Sequence, residues 1–436
     1  METSATPSER PRMNTSLQDI ALDLFRVAIA RADPSAAVRD QLDLHPLPPL
    51  AQGARRIVIA VGKAAVPMMQ AALTRLPAPP SAALVITNPE NLCDVAGAQV
   101  VPGAHPVPDE TSAAAGQQVL RVLENLSPDD QVLVLISGGG SALMVAPAAG
   151  ISLADKAAVN EILLASGLEI NRMNLVRQSL SRLKGGGFCH AASPAKVTAL
   201  ILSDVIGDDL RAIASGPTVA PLGTRADARD LLQSEALWDK LPPAVQGYLM
   251  SPDPAQPSPE ADNTLIGSNR FSLDAMKAHA TALGWEVAPL VYDLTGDVSD
   301  AADRVVSLAR AAPTDRPVAL LFGGETTVRL RGTGQGGRNQ ELALRVARAA
   351  AELKGEWVFL SGGTDGRDGP TDAAGGIVTA QTWAAIAASG ADPEALLANN
   401  DSYAALKAGQ ALVSVGGTGT NVADVQVFLR RPSAPV

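Results

Sequence analysis

The chain has 436 residues, 46% hydrophobic and 18% charged, with a formal net charge of −10 and a pI near 5.0. That length exceeds one ordinary core and suits two, and an acidic chain without a block of Lys and Arg excludes a phosphate-backbone footprint, so no nucleic-acid partner is expected. The two cysteines, Cys93 and Cys189, are far apart and in no metal-ligand spacing, which argues against a disulfide framework and a zinc site.

In chain order, residues 1–13 read as an unstructured lead-in. They are polar and proline-containing, without the apolar stretch of a secretory signal. No run approaches the ~20 apolar residues that span a bilayer, so a soluble, cytoplasmic protein without a membrane partner is expected. Leu17 to Ala32 has helical spacing through Leu17, Ile20, Leu24 and Val27 and is expected to open the first domain. Short apolar runs at 57–61, 83–87, 131–136 and 197–202 read as strands buried on both faces of a parallel sheet, with helical patterns at 111–124 and 175–184 between them. Pro252, Pro254, Pro257 and Pro259 then fall within 251–262. No regular element tolerates that density, so this stretch is read as the linker between domains at 14–250 and 263–432. Beyond it, strands are expected at 265–267, 286–292, 318–322, 328–331, 357–361 and 425–429.

Three of these strands end in paired glycines followed by Ser, Thr or Glu: Ser137-Gly138-Gly139-Gly140-Ser141, Gly323-Gly324-Glu325-Thr326 and Ser361-Gly362-Gly363-Thr364. Glycine-rich loops at strand carboxyl ends let a ligand approach the backbone, where open α/β sheets bind ligands. One such loop alone would be a tight turn; three point to a shared site. Lys63, in Val61-Gly62-Lys63-Ala64, stands at another strand end, although the segment is not a P-loop. Gly332, Gly334 and Gly337 formally match G-x-G-x-x-G, but the next strand lacks the acidic residue that would hold an NAD ribose.

Arg338 opens the helix after that run, where a cation opposes the helix dipole, so it is expected to grip a ligand carboxylate or phosphoryl group with its planar fork. Asp204 and Asp208, in Ser203–Asp208, and Asp365, in Thr364–Asp372, are oxygen donors in strand-end loops. A phosphoryl-transfer enzyme needs such groups for Mg²⁺ and for the proton of the attacking hydroxyl. N-capping or Asx turns are the plainer alternative for Asp208 and Asp372. Arg177, Ser181 and Lys184 are expected at i, i+4 and i+7 on one helix face, and Lys184 before Gly185 equally fits an ordinary helix end. His105, in Gly103–Asp109, is the one histidine in a glycine- and proline-bounded loop.

Together, Val61–Ala65, His105–Asp109, Ser137–Leu143, Leu180–Gly187, Ser203–Asp208 with Ser215–Thr218, Gly323–Glu325, Gly336–Glu341, Gly363–Gly376 and Gly419–Val422 stand in an order that resembles the glycerate 2-kinase family with a C-terminal MOFRL domain. The resemblance runs from about Leu17 to Leu429. It implies a Rossmann-like, doubly wound N-terminal domain and a second α/β MOFRL domain, with the active site in the cleft between them. The implied reaction is transfer from ATP, with Mg²⁺, to D-glycerate, giving 2-phosphoglycerate and ADP; the sequence leaves monomer or homodimer open. The residues matching Lys63 and Arg338 are essential in that family.

On this reading Lys63, Arg338, Asp204 and Asp365 carry catalysis. Gly138, Gly139, Gly140, Ser141, Lys184 and Glu325 meet the nucleotide, and His105, Arg338, Asn339 and Asn421 meet the substrate. Asp204, Asp208 and Asp365 are the metal candidates. Where the family's proline-bearing turn is usual, this chain reads Val415–Thr418, and its common Asn-Asp pair is Ala423-Asp424 here, which weakens the transfer to Asn421. Some family members carry the label hydroxypyruvate reductase, so an NAD(P)H-dependent reductase is the alternative. A non-catalytic sugar-acid or nucleotide sensor is a third reading, disfavoured by the several loop carboxylates.

Overall fold

The computed structural model describes residues 16–253 and 261–432. The expected lead-in at 1–13 and residues 254–260 of the expected linker lie outside them. The chain forms two compact units, one of residues 32–268 and one joining the segment up to Arg31 with Asn269 onward.

In the 32–268 unit the buried runs become β1 (Arg56–Val61), β2 (Ala82–Thr87), β3 (Gln99–Pro102), β4 (Gln131–Ile136), β5 (Lys196–Leu202) and β6 (Asp262–Gly267). All pair in parallel, in the order β3-β2-β1-β4-β5-β6. This is the strand order of doubly wound dinucleotide-type sheets, whose direction of winding reverses between the two central strands, here β1 and β4. Every residue of β1 is buried, as a strand covered on both faces requires. Ile57, Ile59, Val134, Ile136 and Ile201 share a core with Val119 and Leu120 of helix Glu110–Val122. A separate cluster holds helices Leu153–Ser166, Ile170–Ser179, Arg225–Ser234 and Pro243–Met250 together through Leu163, Val176, Leu232 and Val245.

In the second unit the strands are β7 (Glu286–Val291), β8 (Gly296–Asp297), β9 (Val318–Gly324), β10 (Thr326–Thr327), β11 (Glu356–Gly363), β12 (Gly375–Thr379), β13 (Leu412–Val413) and β14 (Asp424–Arg431). Six form a sheet in the order β13-β12-β11-β14-β9-β7, while β8 and β10 pair separately. The β7–β9 pairing is parallel and the other four are antiparallel. Both faces are covered. Phe359 and Phe428 face Leu342 and Val346 of helix Arg338–Ala349, and the adjacent Val358 and Val427 face Leu24, Leu273 and Met276. Such alternation is the period-2 direction of strand side chains.

The expected domain limits differ from this division at both ends. Helix Leu17–Arg31 buries Leu24, Phe25 and Ala28 on the second sheet. It sits so close that a Cβ at Gly362 would lie 2.7 Å from the Phe25 ring. At the other limit, residues 262–267 pair with β5 and complete the first sheet. The expected strand at 328–331 is irregular chain, and the expected helix at 175–184 stops at Ser179. Ser181 and Lys184 therefore lie in the turn that follows, and the three-residue helix face does not form.

Asp130, 2% exposed, ties the entries of β1 and β4 together. It accepts from Ser127 N at 2.8 Å, Arg55 N at 2.7 Å and Arg55 Nε at 3.1 Å. Burial pushes its pKa up, but these bonds and the Arg55 charge bring it down to about 2. Asp130→Ala is expected to cost about 2 kcal/mol, read as a lower urea midpoint at pH 7. An unchanged midpoint would deny the carboxylate this role.

Candidate active site

In the first unit the chemistry gathers at the carboxyl ends of β1, β4 and β5. Lys63 N donates to Gly138 O at 2.9 Å, and Ala64 N to Ser137 Oγ at 3.1 Å, binding the β1 and β4 loops to each other. Gly62 (φ +125°) permits that approach, since a Cβ there would lie 2.1 Å from Ser137 Oγ. The Asp204 carboxylate, at the end of β5, lies against Gly138, where a Cβ would fall 2.2 Å from Oδ2. Around Gly139 stand the His105 ring and the Lys63 stem, 3.2 and 3.4 Å from where its Cβ would be. The structure thus brings together Lys63, His105, Gly138, Gly139, Gly140 and Asp204.

Burial raises the Asp204 pKa, with its own backbone and Lys63 opposing. Burial and then Lys63 lower that of His105, against Glu90, which favours the neutral imidazole. Ser141 Oγ shares a 2.7 Å hydrogen bond with Ser215 Oγ, and Lys184 Nζ donates to Ser141 O at 2.7 Å. Asp208 lies in the turn after β5 with φ +55°, its N–H donating to Val205 O.

In the second unit the charged side chains gather around Arg338. Arg338 donates from Nε and Nη2 to Asp424 at 2.6 and 3.0 Å, and its Nη1 lies 2.7 Å from Glu325 Oε1. Burial opposes the cation, but Asp424 and then Glu325 hold its pKa above the ordinary value. The expected free fork is therefore occupied by two carboxylates, and Glu325 is a partner of Arg338. Asp368 caps the helix that Arg338 opens, accepting from Asn339 N at 3.1 Å and Gln340 N at 2.8 Å. Burial raises its pKa to about 6; those backbone bonds and Arg338 lower it and Asp424 raises it.

Asn339 is 1% exposed, and its amide bonds Ser361 Oγ and Asp368, so substrate contact gives way to an internal role. Asn421 Oδ1 accepts from Ala423 N in a local turn. Asp365 Oδ1 accepts from Arg367 N, beside Gly363, which Asp424 also flanks. Asp424, Asp368 and Ser137 stand within motifs of the sequence reading, which gave them no role. The four-residue spacing from Asp424 back to Thr420 signals nothing by itself; only the fold brings Asp424 to Arg338.

The formal G-x-G-x-x-G run is no dinucleotide loop. Arg331 N and Gly332 N donate to Asn400 Oδ1, Thr333 N to Asn399 Oδ1, Gly334 N to Asn399 O, and Gln335 N to Asp401 Oδ1. Amides so engaged are not offered to a pyrophosphate, and the sheet behind them is mostly antiparallel. The glycine match therefore gives the reductase reading no support.

A winding-reversal site of this make-up, in a chain that also carries a mixed sheet, is that of an α/β enzyme class that handles small ligands at strand ends. Residues 20–250 match the family described as Domain of unknown function (DUF4147), and residues 318–424 match the MOFRL family. The chain is 38% identical to a D-glycerate 2-kinase of Thermotoga maritima over 95% of its own length and 98% of that protein. It is 41% identical to a protein of Agrobacterium vitis provisionally named a hydroxypyruvate reductase, over 86% and 99%. The crystal structure of glycerate kinase from Thermotoga maritima superposes with a TM-score of 0.88 at 38% identity, covering 95% of this chain and 99% of that one. The chain belongs to the glycerate 2-kinase family, with its DUF4147 and MOFRL segments.

Asp368 gives a pH signature with a definite sign. Its pKa rises from 3.8 unfolded to about 6 folded, so the folded state binds the proton more tightly, and this residue's contribution falls as pH rises through that window. Lowering the pH from 7 to 4.5 should therefore shift the urea-midpoint difference between wild type and Asp368→Asn in favour of wild type. A difference independent of pH would remove the raised pKa.

Proposed function

We propose that the chain transfers the terminal phosphoryl group of ATP to the 2-hydroxyl of D-glycerate, giving 2-phospho-D-glycerate and ADP. The observation that carries this reading is the cluster of Lys63, His105, the Gly138–Gly140 backbone and Asp204 at the reversal point of the first sheet. Phosphoryl transfer asks a protein mainly for positioning and charge stabilisation, and the cluster supplies both. Glycines without Cβ atoms let phosphate oxygens approach the backbone, and Lys63 offers a cation to the transferring group. Asp204, its proton affinity raised by burial, orients the attacking hydroxyl and takes its proton. Neutral His105 hydrogen-bonds the substrate.

Among the described residues, no group of three or more His, Cys, Asp and Glu side chains could hold a metal ion. Mg²⁺ commonly needs only one or two carboxylates beside substrate phosphates, so the hard oxygens of Asp204 and Asp208 fit an ion that arrives with the nucleotide. When bound it neutralises phosphate charge. Arg338, already paired with Asp424 and Glu325, is assigned to positioning within its own unit. Among the described residues, no helix is long and apolar enough to cross a membrane.

Purified protein with D-glycerate, ATP and Mg²⁺ should yield product that enolase consumes with no phosphoglycerate mutase present. ADP without an enolase signal would place transfer at the 3-hydroxyl; no ADP, with hydroxypyruvate oxidising NADH or NADPH, would restore the reductase. Asp204→Asn should lower kcat by about 10²-fold or more. Near-wild-type kcat would take the base role away from Asp204.

A further inference from the structure

We propose that Lys156, Arg177 and Lys184 form a subsite for the phosphate tail of the donor nucleotide, a reading that rests on the kinase assignment above. The three come from separate elements of the first unit. Lys156 lies on helix Leu153–Ser166, Arg177 on helix Ile170–Ser179, and Lys184 in the turn beyond. Lys156 Nζ donates to Leu180 O at 3.1 Å and Lys184 Nζ to Ser141 O at 2.7 Å. Arg177 donates from Nε and Nη2 to Asn160 Oδ1 at 3.0 and 2.6 Å, one helical turn beyond Lys156. Every acceptor is a neutral oxygen, and among the described residues no carboxylate pairs with any of the three.

This is an expensive arrangement. Lys184 is only 8% exposed, and charge taken from water is ordinarily paired. Burial lowers the Lys184 pKa well below its usual value, and Lys156 and Arg177 lower it further. Burial and then Arg177 bring Lys156 down to about 8. Lys184 holds the loop at Ser141 O while Lys156 and Arg177, anchored at Leu180 O and Asn160 Oδ1, repel it, so the three gain from an anion of matching charge. The loop is the glycine-rich one at the sheet's reversal point, joined through Ser141 to Lys184 and Ser215. A glycerate carboxylate brings a single charge, whereas a triphosphate brings several, and multivalent phosphate is the chemistry that three cations match.

Titration calorimetry of the full chain with sodium tripolyphosphate tests this, using wild type, Arg177→Gln and Lys156→Met, whose sites are only half-buried. Each substitution should weaken tripolyphosphate binding by tenfold or more and raise the KM for ATP in parallel, with the KM for D-glycerate and the Tm little changed. A rise in the D-glycerate KM with nucleotide terms unmoved would overturn the proposal and give the cations to the substrate carboxylate. Unchanged binding in both variants would overturn it too, leaving the side chains as tethers of loop carbonyls. If no glycerate turnover is found but tripolyphosphate binding still depends on both residues, the kinase reading fails and the polyphosphate subsite stands.

Discussion

Two hydrogen bonds donated by backbone amides, from Lys63 N to Gly138 O and from Ala64 N to Ser137 Oγ, hold the loops of β1 and β4 in one place, and the first unit's chemistry depends on them. The strands are neighbours in the sheet, and the chain leaves them toward opposite edges, the arrangement that leaves room at strand ends beyond the bonded loops. Into that room come Asp204 from β5 and His105 from the loop after β3. Glycine at 62 and 138 is the condition for this closeness, because a Cβ at either would collide with Ser137 or Asp204.

The second unit answers a different constraint, a buried carboxylate. Asp424 is 1% exposed and would be costly as an isolated charge. Arg338 meets it with two parallel bonds, the geometry in which a guanidinium outperforms an ammonium. Arg338 can open its helix because Asp368 supplies the negative cap that Gly337 cannot. A Cβ at Gly337 would fall 2.2 Å from the Asp368 carboxyl carbon, which explains the glycine without reference to any dinucleotide.

The main departures from the sequence reading share a cause. Local pattern reports burial and turn chemistry, and it placed β1, β4, β5, β9, β11 and β14 close to where they form. It could not report partners distant along the chain. Helix Leu17–Arg31 is amphipathic whichever sheet it covers, and only the match of Leu24 and Phe25 to the face carrying Val427 assigns it. Glycines 332, 334 and 337 match a dinucleotide loop by spacing alone; Asn399, Asn400 and Asp401 engage the amides of residues 331–335 from more than sixty positions away. The cationic cluster was half visible, since Arg177 and Lys184 were noticed on a helix face that does not exist, and Lys156 was not.

By itself, then, the sequence determined the α/β class, the buried strands, the glycine-rich strand ends and, through the order of its motifs, the family. Those properties are local or cumulative: side-chain periodicity, the φ freedom of glycine, and the succession of short blocks. Tertiary structure alone decided that β6 belongs to the first sheet and the first described helix to the second unit. It also decided that Arg338 is already paired, and that Lys156, Arg177 and Lys184 bond neutral oxygens with no carboxylate partner among the described residues. Each of these depends on which distant groups come within hydrogen-bonding or van der Waals reach, and such contacts follow from the packing of whole elements rather than from neighbours in the chain.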